Sequence, residues 1–231
     1  VYINNVEVFR PFLVRSGQQE GLSVINPYMV DKIGFSTGGY AAKYGDKMSS
    51  ALDITYKTLK AKSKKPVVEG SLAASLLGAD AYIGLGTQKL SWLNSVRYKT
   101  TSYLLGSMET KGEYKPNYLD YQTYLSYQPN KRWKLDFIGY ISDNHYNFEP
   151  EDRETKFGTM ENVKSFRVYF DGQEKDRFLT YFGTLGITRQ FTANTSLSLL
   201  GSAFYTKEQE KYDIQGQYWL DETETSENLG V

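Results

Sequence analysis

The sequence contains no cysteine. That excludes a disulfide framework and any thiolate metal centre. It contains one histidine, His145, with no organised carboxylates around it, so no histidine-based catalytic group is legible. No run of about 18 apolar residues occurs, which excludes a transmembrane helix. Lys plus Arg and Asp plus Glu both number 27, so charge offers no footing for nucleic acid or for a polybasic membrane contact. No signal peptide is seen, because Val1-Tyr2-Ile3 already reads as folded interior.

What is present is apolar surface and tyrosine. Hydrophobic residues make up 40% of the chain, enough to bury a core. Tyrosine numbers 20 against 12 Phe and 3 Trp. Its ring is apolar and its tip is wet, which suits a membrane–water boundary. The mean hydropathy of −0.53 does not oppose a membrane barrel, where only alternate residues meet lipid.

From about residue 65 the chain alternates with period two, and no stretch there shows a 3.6-residue apolar stripe. Strands are predicted over 67–77, 79–86, 90–100, 119–127, 133–141, 179–187 and 197–205. In the third, Leu90, Trp92, Val96 and Tyr98 oppose Ser91, Ser95, Arg97 and Lys99, with Leu93 and Asn94 as exceptions. In the fourth, Tyr121, Thr123, Leu125 and Tyr127 oppose Asp120, Gln122, Tyr124 and Ser126. Each strand has roughly the length a tilted membrane strand needs, about 8 to 11 residues. Short turns at 86–89, 128–131 and 190–195 alternate with long connections at 105–118 and 143–178. Transmembrane barrels sort their loops by length in this way. Trp92, Tyr127, Trp133 and Phe191 sit beside short turns, and Tyr98, Tyr103 and Tyr121 lie toward the long-loop end, as two aromatic girdles would.

The first 57 residues differ. Residues 27–32 have a short helical character, one or two turns, and 32–35 read as a strand. Turns follow at Ser36-Thr37-Gly38-Gly39 and Tyr44-Gly45-Asp46, where glycine can take positive φ. Residues 51–57 form a strand with Leu52, Ile54 and Tyr56 on one side. The segment 58–66 reads as a polar, basic linker.

The order of these features, with Gly38-Gly39, Tyr44-Gly45 and Leu52-Asp53-Ile54 in sequence, resembles the closing segment of the plug domain of TonB-dependent outer-membrane receptors. Glu69-Gly70-Ser71-Leu72 and Ser95-Val96-Arg97-Tyr98 are similar to the first and third barrel strands of that family. The resemblance implies a mainly β fold: part of a small α+β plug over 1–57, then a transmembrane antiparallel β-barrel from 67 to 231. Family barrels close with about 22 strands, so these seven imply a fragment of a longer chain. If the linker enters from the periplasm, strand parity puts both long connections outside and the three short turns inside.

The resemblance further implies energy-coupled uptake across the outer membrane of a Gram-negative bacterium, without enzymatic chemistry or cofactor. The partners implied are outer-membrane lipid, the energy-coupling TonB protein (through a segment upstream of this chain) and a small-molecule, peptide or glycan substrate. Substrate contacts are expected from plug turns and loops, with Tyr114, Tyr118, Asn144, Tyr146 and Trp219 as candidates and 15–21 as a further segment. The acidic cluster Glu149, Glu151, Asp152 and Glu154 matches no standard calcium-loop spacing. A structural or adhesive barrel and a soluble β-rich binding domain are the alternatives.

Overall fold

The computed structural model describes residues 1–8, 23–39, 41–46, 49–100, 112–158 and 163–223, with backbone alone at 113, 114, 222 and 223. Strands account for 78% of the described chain, and the larger sheet curls into a half-barrel.

The N-terminal part is a four-stranded sheet of order β2-β1-β4-β3. β1 (Tyr2–Ile3) and β2 (Val6–Glu7) are joined by Asn4 and Asn5, with φ of 47° and 66°. Two consecutive positive φ values define a type I′ hairpin, and Asn tolerates them better than most residues. β1 runs parallel to β4 (Ala51–Tyr56), which pairs on its other side with β3 (Val30–Ser36). Ile3, Ile54, Tyr56 and Met29 form the heart of the core.

The expected helix at 27–32 is a single 3-10 turn, Pro27–Met29. Asn26 caps it, its Oδ1 accepting from the Tyr28 N–H at 2.9 Å, and Pro27 supplies the pre-set φ at its start. It stops there because Val30 onward pairs with β4, with a register irregularity between Val30 and Lys32. Among the described residues of 1–57 there is no α-helix, so the α part of the expected α+β unit is not seen.

The second sheet holds the seven expected strands: β5 (Val67–Ser75), β6 (Gly78–Gly86), β7 (Leu90–Thr100), β8 (Gly112–Asn130), β9 (Trp133–Pro150), β11 (Val163–Thr192) and β12 (Thr195–Thr223). An additional short strand, β10 (Arg153–Gly158), continues the line of β9 along β11. All neighbours are antiparallel.

The expected strand lengths fail at the long-connection end. β9, β11 and β12 reach 18, 30 and 29 residues, so much of 143–178 is strand and 112–118 belongs to β8. The part of the expected connection at 105–111, with Tyr103, lies outside the described residues. Hydrophobic periodicity misses these extensions because both of their faces carry polar groups. Cross-strand hydrogen bonding needs no apolar face, so it continues past the point where alternation fades.

The two faces of the curled sheet sort as expected. Trp92, Val96 and Tyr98 stand exposed on the convex face, while Ser91, Ser95 and Arg97 are buried on the concave one. The two exceptions also find reasons. Leu93 is fully buried in the core shared with the small sheet, and Asn94 accepts from the Tyr121 hydroxyl at 2.8 Å.

Residues 57–66 carry no strand, yet they are docked. The Leu59 N–H donates to Ser91 Oγ at 2.9 Å, and the Ala61 N–H donates to the Thr87 carbonyl at 3.2 Å. Lys60 Nζ reaches Gln128 Oε1 at 3.0 Å. The segment therefore sits at the end of the sheet where the short turns are. Gly86 makes this possible: a Cβ there would lie 2.7–2.8 Å from Leu59 Cβ and the Leu59 carbonyl.

Candidate functional site on the concave face

The small sheet packs into the concave face of the curled sheet, and the contact is largely polar. Arg97 on β7 is its centre, with only 4% exposure. Its Nε donates to both oxygens of Asp120 on β8, at 3.1 and 2.9 Å, and Nη2 reaches Asp120 Oδ2 at 2.8 Å. The same guanidinium donates to the carbonyls of Ile25 and Ser23, each at 2.9 Å. One rigid fork thus ties two strands of the curled sheet to the chain leading into the 3-10 turn.

Neighbouring side chains extend the seam. Gln122 Nε2 donates to the Val24 carbonyl, and Gln122 Oε1 accepts from the Tyr56 hydroxyl at 3.2 Å. Asn26 Nδ2 donates to Ser95 Oγ at 3.0 Å. Tyr28 stacks on Tyr82 at 6.2 Å, and Tyr56 meets Tyr124 edge-on at 5.7 Å. Burial pushes the Tyr56 phenol above its ordinary pKa, so it remains a neutral hydrogen-bonding group. An interface made of hydrogen bonds and tyrosines is strongly oriented, and it can part onto water more cheaply than an apolar one.

The seven residues of the plug-like motif hold one local structure. Gly39 takes φ +61 after β3, whereas at the second turn the positive φ falls on Asp46, at 58°, and not on Gly45. Gly38 has open space around a Cβ, so its turn makes no steric demand for glycine. Asp53 accepts from Lys43 Nζ at 2.7 Å and from the Tyr44 hydroxyl, pinning the intervening turn onto β4. Tyr44 also packs on Tyr2, with centroids 5.1 Å apart. Burial alone would raise the Asp53 carboxyl, but the bonds from Lys43 and Tyr44 outweigh it and hold it below the ordinary value. Lys43 is pushed up to about 12 by the same hydrogen bonds. Ile54 is fully buried and Leu52 packs beside it.

Of the candidate contact residues, three come together. Tyr118 and Asn144 are direct cross-strand partners on β8 and β9, and Tyr146 follows two positions on. All three are buried on the concave face, above the Arg97 seam. Tyr114 pairs with Phe148 through its backbone, but its side chain lies outside the described part. Trp219 stands apart near the far end of β12, edge-on to Tyr169 at 5.4 Å. The segment 15–21 lies outside the described residues.

Sequence reasoning passed over the group beside these three. Asp176 on β11 is opposite Tyr146 on one side and Glu210 on the other. It is 3% exposed, and its carboxyl meets the Glu174 side chain and the Lys211 N–H without ordinary hydrogen-bond geometry to either. Asn144 Oδ1 is likewise buried without a donor, while its Nδ2 donates to Ser142 Oγ at 2.8 Å. Desolvation, together with Glu174 and Glu210, pushes the Asp176 carboxyl up to about 6. Its signal in the sequence is the alternation of charge in Glu174-Lys175-Asp176-Arg177 and again in 207–211.

The other chemistry considered is taken up locally. His145 Nδ1 lies 3.7 Å from Asp143, which Arg177 grips at 2.6 and 2.9 Å and holds below its ordinary pKa. In the acidic segment, Asp152 accepts from the Phe170 N–H at 2.8 Å, and Glu154 accepts from Ser165 Oγ at 2.7 Å. Among the described residues no three His, Cys, Asp or Glu side chains group to hold a metal ion. No family model, curated protein or solved structure matches the chain.

Proposed function

We propose that this chain is part of an energy-coupled, TonB-dependent transporter of the Gram-negative outer membrane. The curled sheet would be one arc of the barrel wall, and the small sheet the end of the plug inside it. The carrying observation is the sorting of faces around the Arg97 seam: the concave face is polar and hydrogen-bonded to the small sheet, while the convex face presents exposed apolar rings.

The convex band has the height such a wall needs. Between the Arg177–Asp143 pair and the row where Arg189 lies over Trp133 at 5.0 Å and Phe191 at 4.8 Å, the convex side chains of β11 include Leu179, Tyr181, Leu185 and Ile187. Those rows are about 40 Å apart along a strand rising about 3.3 Å per residue. Tilted by about 40°, that becomes about 30 Å, close to a hydrocarbon core. Trp92, Tyr127, Trp133 and Phe191 are all exposed on the short-turn side, as a lower aromatic girdle would be. The docked linker sits at that same end, which agrees with a plug tethered from the periplasm.

In this reading the long strands beyond Arg177 stand outside the membrane, and further strands of the parent chain close the sheet, because bare edges are not tolerated in lipid. Transport is binding followed by release of a plug–wall seam, with no covalent step. A coupling segment would engage the TonB protein by strand addition. The test is uptake in cells. With the full gene present, solute accumulation should depend on the coupling protein and collapse with the proton gradient. Uptake that persists without either would refute the reading, as would recovery of the full-length protein from the soluble fraction.

A further inference from the structure

We propose that the concave patch around Asp176 and Asn144 binds an organic cation bearing spaced ammonium or guanidinium groups. This rests on the reading that the concave face lines the solute path, and it names the class of solute.

The charges on β11 and β12 are sorted by face. Cross-strand pairing puts Asp176 opposite Glu210, Glu174 opposite Tyr212 and Phe178 opposite Glu208. These positions share the concave face with buried Asp176 and Phe178. Lys175, Arg177, Lys207 and Lys211 alternate with them and fall on the convex face, Lys175 opposite Lys211. Two carboxylates directly across a strand pair repel each other, and no basic side chain of either strand lies between them.

Asn144 makes the second, independent observation. It lies on β9 opposite Phe178, one diagonal step from Asp176. Its Oδ1 is a buried acceptor with no donor, and the buried Asp176 carboxyl has only the Lys211 N–H and the Glu174 side chain beside it, neither in ordinary hydrogen-bond geometry. Buried acceptors so poorly supplied with donors on one face call for a multi-donor cation.

The spacing favours an extended organic ion over a point charge. The Glu174 and Asp176 side chains interact, but Glu208, opposite Phe178, lies four residues along the face from Glu174, about 13 Å. Among the described residues no three carboxylates or imidazoles gather to hold a metal ion. Among the described side chains, the other ionisable groups facing the patch are Tyr146 from β9, Tyr118 from β8 and Tyr212 and Glu208 from β12, none of them cationic. With Asp176 pushed up to about 6, the patch carries its full charge only above that pH.

The test is calorimetric titration of the full-length protein in detergent with spermidine and, separately, with the peptide Lys-Lys-Lys; glutarate serves as the anion control. Saturable binding of either cation, with none of glutarate, is expected, and the better of the two identifies the source as polyamine or peptide. Asp176→Asn should weaken it about tenfold or more, the loss of one charge-assisted contact. Glu174→Gln with Glu210→Gln should weaken it in the same direction, which covers the case of an Asp176 variant that does not fold. Affinity should fall between pH 7.5 and pH 5. Binding of neither cation, equal affinity in Asp176→Asn, or calcium binding that excludes spermidine would overturn the inference. Energy-dependent uptake of another solute would, in that event, leave the transport reading standing.

Discussion

Replacing Arg97 with leucine should unfasten the small sheet from the wall without dissolving either. Among the described residues the guanidinium is the sole side-chain donor to the Asp120 carboxylate, which is 1% exposed, and it also serves the carbonyls of Ser23 and Ile25. Breaking a buried pair by removing one partner costs about 3–5 kcal/mol, because a charge is left buried and unpaired. The two carbonyl bonds are charge-assisted, each worth about 1.5–3 kcal/mol, and part of that overlaps with the first figure. A net loss of about 3–6 kcal/mol at the seam follows.

Hydrogen exchange of the full-length protein reads this loss by region. A change of about 3 kcal/mol accelerates exchange through local opening by about 100-fold. Amides of β3, β4 and the 3-10 turn should show it, while those pairing β9 with β11 should not. Arg97→Leu combined with Asp120→Leu should recover part of the protection, since no buried charge then remains. Unchanged protection of the small sheet in the single variant would refute the reasoning. A double variant worse than the single one would show that the carbonyl bonds, and not the stranded carboxylate, dominate.

Further outcomes follow from individual sites. Gly86→Val should displace the docked linker, since even a Cβ meets the Leu59 backbone at 2.8 Å; a loss of about 1–3 kcal/mol in urea unfolding and protease cutting near Lys62 would report it. Asp176→Asn should stabilise the protein at pH 7.5. The gap between about 6 and the ordinary 3.8 sets an upper bound of about 3 kcal/mol. The sign follows from the raised folded pKa: the penalty is full above about pH 6 and fades as pH falls toward 4, so the variant's advantage should vanish at low pH. Asp53 has the opposite sign, its folded pKa being lowered. Its contribution is present above the ordinary carboxyl range and is lost as pH falls through it, a dependence that Asp53→Asn should abolish in acid unfolding curves.

The faces of the wall were legible from residues such as Ser91, Ser95 and Arg97 set against Trp92, Val96 and Tyr98, because period two maps directly onto the two sides of a strand. Leu93 and Asn94 broke the pattern for reasons that only packing reveals: a second sheet buries the first, and a neighbouring tyrosine uses the second. Asn4-Asn5 between Tyr2-Ile3 and Val6-Glu7 carried a hairpin signal of its own. The extensions of β9, β11 and β12 were not visible to hydrophobic periodicity, since polar residues occupy both of their faces. In 174–177 it is the sign of the charge, not hydrophobicity, that alternates, and that alternation marks Asp176. The seam itself was out of reach, because Arg97 meets Ser23 and Ile25 across more than 70 residues of sequence.

The claim that the curled sheet is a membrane wall is tested most directly by spin labels placed singly at 179–187 of the full-length protein in lipid vesicles. Odd positions, which include exposed Tyr181 and Leu185, should collide with oxygen dissolved in the bilayer, and even positions, which include buried Thr180, Phe182 and Thr184, should not. Labels at Lys175 and Arg177 should instead meet a water-soluble nickel reagent. A period-two oxygen profile ending at that row is the predicted result; equal access of the nickel reagent to Tyr181, Leu185 and Lys175 would contradict it.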